Sequence, residues 1–178
     1  QQVTTIAGWR RREEGIGTAT ARAEAVRLAK RVLVLDEELF ENRQRLTEIV
    51  TAEAPELLEL RGVGAVTAAI ILTVWSHPGR IRSEAAFAAI AGTAPIPASS
   101  GNTVRHRLNR GGDRRLNRAL HMAIVTRMRM DPRTRAYVER RTAEGRTPRE
   151  IRRCLKRYLA REIYRHLNAA ARNQLATA

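Results

Sequence analysis

Apolar residues recur every three or four positions along a long N-terminal stretch of the chain. Between Thr18 and Glu53 there is neither proline nor glycine, and the spacing predicts one helix of about 35 residues. Its apolar positions are Ala25, Leu28, Val32, Leu35, Leu39, Leu46, Ile49 and Val50. Such a helix spans roughly 50 Å, which is more than a small core can cover. We therefore expect a coiled-coil-like helix over 18–53, in a hairpin or as a dimer arm.

The remaining pattern divides into a short entry and a second helical region. Residues 1–17 are polar and contain several glycines, so we expect a loosely ordered entry segment. The region 54–178 is expected to be compact, and we find no two alternating segments joined by a hairpin signal. Periodicity predicts helices at 55–60, 65–76, 83–91, 113–130, 132–144 and 148–172. The predicted fold class is all-α.

One run within the long helix has a second interpretation. Val32 to Asp36 could be a strand that delivers a metal-binding aspartate. The helical period continues unbroken through Glu37 and Glu38, which favours a helix. We therefore predict no metal ligand in this chain.

Charge narrows the class of partner. The 178 residues include 33 Lys and Arg against 18 Asp and Glu, a net charge of +15, which attracts polyanions and makes their binding salt-dependent. Nearly all the cations are arginine, which suits bidentate phosphate contacts; GC-rich coding would produce the same bias. No apolar run is long enough for a membrane span. The single Cys154 excludes a disulfide framework and indicates a reducing, cytoplasmic setting.

A glycine pair resembles a helix-hairpin-helix turn. Leu60-Arg61-Gly62-Val63-Gly64 precedes an apolar helix, whose N-terminal N–H groups could face a phosphate oxygen. Gly62 and Gly64 would then let the backbone approach DNA closely. In the alternative interpretation the two glycines only turn the chain while the helix packs.

A loop rich in glycine and proline, residues 94–113, carries the second candidate site, and we call it the serine loop. Ser99-Ser100-Gly101 is followed by His106 and by many arginines. A serine hydroxyl can attack phosphorus when nearby cations neutralise the developing charge, but spacing alone favours a Ser-Gly turn beside a solvated basic surface. Asp113 is best explained as the N-cap of the next helix. The arginines that follow the loop are Arg105, Arg107, Arg110, Arg114, Arg115 and Arg118; a further band on the last helix comprises Arg149, Arg152, Arg153, Arg157 and Arg161.

Taken in order, these segments resemble a known family. The segments are Gly62-Val63-Gly64, Phe87-Ala88-Ala89-Ile90-Ala91-Gly92, Ala94-Pro95, Ser99-Ser100-Gly101 and Asn109-Arg110-Gly111-Gly112-Asp113-Arg114-Arg115-Leu116-Asn117-Arg118-Ala119-Leu120. Together they resemble the C-terminal domain of the bridge-RNA-guided insertion-sequence transposases, which are related to the Piv-type recombinases. The resemblance covers about residues 54–170, and the preceding helix resembles that family's coiled-coil segment.

The resemblance implies a function and a set of roles. Ser100 would attack DNA and form a phosphoserine intermediate, with Ser99 as the second candidate, while Arg105, Arg107 and Arg110 would hold phosphates, with Arg114 beside them. DNA and a guide (bridge) RNA are the implied partners, with a homo-oligomer through the long helix, in the bacterial cytoplasm near the nucleoid. Magnesium would belong to a RuvC-like domain, whose strand-rich pattern is absent from this sequence. Glu13, Glu14, Asp36, Glu37 and Glu38 therefore receive no metal role.

These roles imply that the chain is part of a longer transposase and is inactive alone. Two rival functions remain open. One is a noncatalytic helix-hairpin-helix module in which the serine loop only positions the duplex. The other is an oligomerisation domain in which the long helix is the functional element and the charge is incidental.

Overall fold

A computed structural model describes residues 1–99, 101–103 and 106–177 of the chain. The helices are α1 (Gln2–Ala7), α2 (Ile16–Glu53), α3 (Glu56–Glu59), α4 (Ala65–Trp75), α5 (Glu84–Ile90), α6 (Arg114–Met130), α7 (Pro132–Ala143) and α8 (Pro148–Thr177). Two short strands, β1 (Ile96–Pro97) and β2 (His106–Arg107), lie between α5 and α6. The all-α prediction is confirmed, and so is the long N-terminal helix.

Two local expectations were wrong. The entry segment was expected to be loosely ordered, but it contains α1, which ends at Ala7 with Gly8 as its C-cap. The sequence also showed no strand signal, whereas β1 and β2 pair antiparallel, with Ile96 opposite Arg107 and Pro97 opposite His106. Because proline restricts its own φ and the residue before it, Pro97 favours an extended chain here. Two residues are too few to show a strand period in the sequence.

The chain separates into two compact units, Gln1–Arg45 and Leu46–Ala178. In the first unit Arg22 pairs with Glu14, and its guanidinium lies 5.2 Å from the centre of the Trp9 ring. Several large apolar side chains of α2 are exposed in this single chain. They are Leu28, Val32, Leu33, Val34, Leu35, Leu39 and Phe40.

The core of the second unit forms where α4, α5 and α6 pack with α8. Helix α6 contributes Leu116, Leu120 and Ile124, which recur every four residues on one face, as expected for an amphipathic helix. Helix α8 contributes Ile151, Leu155, Leu159, Ile163 and Leu167 at the same spacing. Burying one stripe of each helix leaves its other face free for polar residues. In both helices that face is rich in arginine.

Side-chain caps fix where several helices of this unit begin. Ser83 accepts a hydrogen bond from the Ala86 N–H at 3.1 Å, and Asp131 accepts one from the Thr134 N–H at 3.0 Å. The predicted cap at Asp113 is confirmed, because its Oδ1 accepts from the Leu116 N–H at 2.7 Å. The Asp113 cap fixes the start of α6 at Arg114, directly after the serine loop.

Candidate nucleic-acid interface

The ends of the serine loop are held together at the start of α6. Gly92 has φ +63°, and a Cβ added to Gly112 would lie 2.3 Å from the Gly92 nitrogen. Only glycine at 112 permits this approach of backbone to backbone. The Asp113 N–H donates to the Ile90 carbonyl at 2.6 Å, and Asn117 Nδ2 donates to the Ala91 carbonyl at 2.7 Å. The loop therefore begins and ends at one fixed root.

Within the loop, the predicted nucleophile and one arginine cannot be placed. Ser100 and Arg105 lie outside the described residues, so their roles stay predictions. Ser99 is exposed, as are His106 and Arg107 on β2. Gly101 has φ +56° and open space around it, which suits a tight turn between the two strands.

A cleft lined by cations lies between the first half of α6 and the first half of α8, beside the loop root. We call it the basic groove, and its volume is about 700 Å³. Its charged and titratable lining residues are Arg110, Arg114, Arg118, His121, Arg149, Arg152, Arg153 and Lys156. Its other lining residues are Gly92, Leu108, Asn109, Gly112 and Asn117. Over the described residues, no carboxylate lines it.

Helical spacing explains why so many cations face one cleft. On α6, Arg114, Arg118 and His121 are four and three residues apart; on α8, the cations of the groove follow the same spacing. Residues three or four apart share one face of a helix. In the part of the chain that the structure describes, none of the arginines or the lysine of this groove lies within 4.0 Å of a carboxylate. Their charge is therefore available to an anion.

Lys156 lies at the inner end of the groove and is half-buried. Its Nζ donates to Asn117 Oδ1 at 3.0 Å. Burial lowers the pKa of Lys156, and the Arg153 guanidinium lowers it further. Burial likewise lowers the pKa of His121, with further contributions from Lys156 and Arg152. Both shifts favour the neutral forms, mainly because burial disfavours a charged side chain.

A smaller cavity continues from the groove beside β2 and the segment that precedes β1. Arg107, Arg153, Lys156 and Arg157 line it, and its volume is about 250 Å³. The Arg157 Nη1 atom is buried and has no hydrogen-bond partner among the described residues. Cations of α8 thus extend from the groove to the space beneath the serine loop.

The turn that contains Gly62 and Gly64 does not line the basic groove. Gly62 has φ +79°, and a Cβ there would lie 2.6 Å from the Ala123 carbonyl oxygen of α6. Gly64 is exposed, with open space around its Cα. The close approach at Gly62 is therefore to a helix of the same chain. The proposed contact of Gly62 and Gly64 with DNA stays a prediction.

Beside this turn lies a second cleft of about 700 Å³, between the last half of α6, α7 and α8. We call it the paired cleft because two of its three arginines, Arg61 and Arg127, have carboxylate partners. Arg127 Nη1 lies 2.7 Å from Glu162, and Arg127 Nε donates to the Arg61 carbonyl at 2.6 Å. The Arg61 guanidinium lies 3.3 Å from Asp131.

The structure brings together only some of the residues predicted for the site. Arg110 and Arg114 line the basic groove, and Arg107 lies in the cavity that continues it. The predicted site omitted Asn117, His121 and Lys156, which lie deeper in the groove. Their helical spacing from Arg114 and Arg152 was the available signal.

The described residues contain neither a cluster of metal ligands nor a membrane-spanning helix. No group of three or more His, Cys, Asp or Glu side chains there could hold a metal ion. No helix there is both long and apolar enough to cross a membrane.

These observations define a helical domain with a cationic groove, and comparison with known proteins relates part of it to a family. Residues 54–139 match the family described as Transposase IS116/IS110/IS902 family. The matched region runs from α3 into α7 and includes the serine loop and the α6 side of the groove.

Two relatives agree with this match. The insertion element IS110 uncharacterized 43.6 kDa protein of Streptomyces coelicolor is 31% identical over 134 residues, or 74% of this chain and 33% of that protein. The insertion element IS900 uncharacterized 42 kDa protein of Mycobacterium paratuberculosis is 31% identical over 133 residues, or 72% and 33%. The chain spans about a third of the length of these relatives.

Proposed function

We propose that this chain is the DNA-binding, serine-bearing part of an insertion-sequence transposase, and that its basic groove holds a nucleic-acid backbone. The observation that carries the proposal is the position of the groove. Cations of α6 and α8 without carboxylate partners lie at the root of a loop containing two serines, and the loop and α6 belong to the region that matches the transposase family. Cations without carboxylate partners suit binding to phosphates because no internal ion pair has to be broken.

The proposed chemistry is a reversible transfer of DNA to Ser100. The Ser100 Oγ loses its proton to a base or water and forms a bond to phosphorus. The bond from phosphorus to one ester oxygen of the strand breaks, and that oxygen takes up a proton. Attack of a strand hydroxyl on the phosphoserine reverses these steps and rejoins DNA. Arg105, Arg107 and Arg110 would neutralise the developing charge.

Magnesium has no part in the steps assigned to this chain. The described residues offer no cluster of metal ligands, so their chemistry does not fit such an ion. Magnesium would be held by a RuvC-like domain of the complete transposase, and we derive no step through it.

The remaining partners are a guide RNA and a second copy of the chain. A guide RNA would present the same backbone chemistry to the groove as DNA does. Exposed apolar residues of α2, including Leu28, Leu39 and Phe40, suit a helical partner. This observation also favours the second candidate function, an oligomerisation module. In that case the molecular mass of the chain would increase with concentration, and DNA binding would be weak.

The serine assignment is tested in the complete transposase. A covalent adduct with DNA should form in the wild-type protein and in Ser99→Ala, and should be lost in Ser100→Ala. Adduct formation that survives Ser100→Ala would reject this nucleophile. Binding of this chain to duplex DNA should weaken steeply with added salt. Binding without salt dependence would reject the role of the groove.

A further inference from the structure

We propose that Lys156 is a discrete phosphate-binding residue at the inner end of the basic groove, and that Asn117 positions it there. Its ligand is one backbone phosphate of duplex DNA. This inference rests on the proposed function, since it assumes that the chain binds nucleic acid. It goes further by assigning one phosphate to one residue that was absent from the predicted site.

The first step concerns the surroundings of Lys156. Its ammonium is half-buried, yet among the described residues its hydrogen-bond partner is the neutral Asn117 oxygen. A buried cation without a counter-charge is unfavourable unless an anion joins it. Arg152 and Arg153 flank it on α8, and His121 faces it from α6. An anion that enters the groove at this point is faced by cations from both helices.

The second step concerns how rigidly Lys156 is held. Asn117 Oδ1 accepts from the lysine, while its Nδ2 donates to the Ala91 carbonyl at 2.7 Å and contacts the Gly92 carbonyl at 3.4 Å. Both amide groups are therefore used, and the orientation of Asn117 is fixed. A lysine held in place loses less side-chain entropy when it binds a ligand. Asn117 is thus a positioning residue.

The third step concerns the location. Lys156 lines both the basic groove and the smaller cavity beside β2. The same smaller cavity contains Arg157, whose buried Nη1 lacks a partner in the described chain. A phosphate on Lys156 therefore lies beside the root of the serine loop. Its position would set the register of the strand relative to that loop.

The fourth step concerns the kind of nucleic acid. Over the described residues the basic groove itself is lined by no Phe, Tyr or Trp, and one ring, Tyr158, lines the smaller cavity that continues it. Proteins that bind single strands use such rings as stacking platforms for bases. A groove with cations and without these rings suits the outside of a duplex, where phosphates are the accessible groups. The choice of DNA over RNA follows from the transposase-family domain.

The experiment uses the fact that the chain has two lysines, Lys30 and Lys156. Lys30 is exposed on α2 and is an internal control. The whole chain is treated with trace acetic anhydride across a pH series, and acetylation of each lysine is measured by mass spectrometry. The series is repeated with inorganic phosphate, a 20-base-pair DNA duplex, the matching RNA duplex and the single DNA strand.

We expect DNA duplex to slow acetylation of Lys156 about tenfold relative to Lys30 and to raise the pKa of Lys156, because the phosphate stabilises the charged form. Inorganic phosphate should act in the same direction at higher concentration. If DNA binds but the Lys156 rate and pKa do not change, this site is wrong while the proposed function stands. If no DNA binds, the proposed function itself fails. An effect from inorganic phosphate only, RNA only or the single strand only would overturn the assignment to duplex DNA.

Variants of the two lysines provide an independent measurement. Lys156→Met should weaken DNA binding about tenfold and reduce the salt slope by about one, whereas Lys156→Arg should keep the slope. Lys30→Met, which removes the same charge elsewhere, should change neither. Equal losses in the two methionine variants would indicate only an effect of net charge and would overturn the proposal. If Lys156→Met does not fold, the acetylation of the wild-type chain still decides.

Discussion

The basic groove and the paired cleft are two similar spaces with opposite electrostatics. Each has a volume of about 700 Å³, and each is lined by α6 and α8. Both contain arginines. In the paired cleft Arg127 and Arg61 contact Glu162 and Asp131, whereas the described lining of the basic groove has no carboxylate. The difference therefore lies in the acids, not in the arginines.

Comparing the two clefts shows that some arginines of this basic chain stabilise the fold while others remain available to a ligand. An arginine with a carboxylate and a carbonyl partner joins elements of the fold. Arg127 joins α6 to Glu162 of α8 and to the Arg61 carbonyl of the glycine turn. An arginine without a carboxylate partner keeps its charge for a ligand, as Arg152 does although its Nε donates to the Pro148 carbonyl at 3.1 Å. A net charge of +15 predicts an anionic partner but not its position. The position follows from where the acids are absent.

The largest expected effect comes from the glycine beneath the paired cleft. Gly62→Ala places a Cβ against the Ala123 carbonyl at a positive φ, and should lower the free energy of unfolding by about 2–4 kcal/mol. Urea denaturation measures it. Gly64→Ala is the matched control, because its surroundings are open and its φ is −98°. Equal losses in both variants would show that the packing at Gly62 is not specific.

The second largest expected effect tests whether the cations of the basic groove bind DNA. Arg152→Ala with Arg153→Ala removes two unpaired cations of the groove, and should weaken DNA binding about 100-fold and reduce the salt slope by about two. Fluorescence anisotropy at several salt concentrations measures both quantities.

The control for this pair removes two arginines that already have a partner. Arg161 and Arg165 lie 3.2 and 2.9 Å from Glu84. Replacing both with alanine lowers the net charge equally, but should change DNA affinity by no more than about threefold. A comparable loss in the two double variants would remove the distinction between paired and unpaired cations.

A third prediction tests the paired cleft by stability. The Arg127 side chain is 13% exposed, and Arg127→Met leaves the Arg61 carbonyl without this donor. We expect a loss of about 1–3 kcal/mol in the free energy of unfolding, measured by urea denaturation, with little change in DNA affinity. Combining Arg127→Met with Glu162→Gln in a double-mutant cycle isolates the ion pair. A large loss of DNA affinity at unchanged stability would place Arg127 in the binding surface instead.

The sequence predicted the helices well because their signals are local. The four-residue recurrence of Leu116, Leu120 and Ile124 gave α6, and Asp113 gave its first turn. It did not predict the short β1–β2 pair, which depends on two loop segments meeting. The all-α class was within reach because each helix carries its own apolar stripe.

The site was predicted only in part, for the same physical reason. Arg110 and Arg114 could be found because they follow the serines in sequence. Helical spacing from Arg152 places Lys156 on the same face of α8, but its contact with Asn117 joins residues 39 positions apart and could not be predicted. The paired role of Arg127 was also hidden, because Glu162 is 35 positions away. Tertiary contacts decide which cations keep their charge free.

The smallest expected effect concerns His121 and the pH dependence of the groove. Burial lowers the pKa of His121, and Lys156 and Arg152 of α8 lower it further. The unfolded chain therefore takes up a proton near pH 6.5 before the folded chain does. The stabilising contribution of neutral His121 is fully present above that pH and is lost as the pH falls below it.

A bound phosphate reverses the preference of His121, because it stabilises the imidazolium. DNA affinity should then rise by a few-fold between about pH 7.5 and 6 at constant ionic strength. The cations that line the groove with His121 are Lys156, Arg152, Arg149 and Arg153 on α8, and Arg114 and Arg118 on its own helix. His121→Gln should reduce this increase in DNA affinity, which fluorescence anisotropy measures at each pH. If the variant keeps the full rise, another histidine is responsible and His121 is not close to the phosphate.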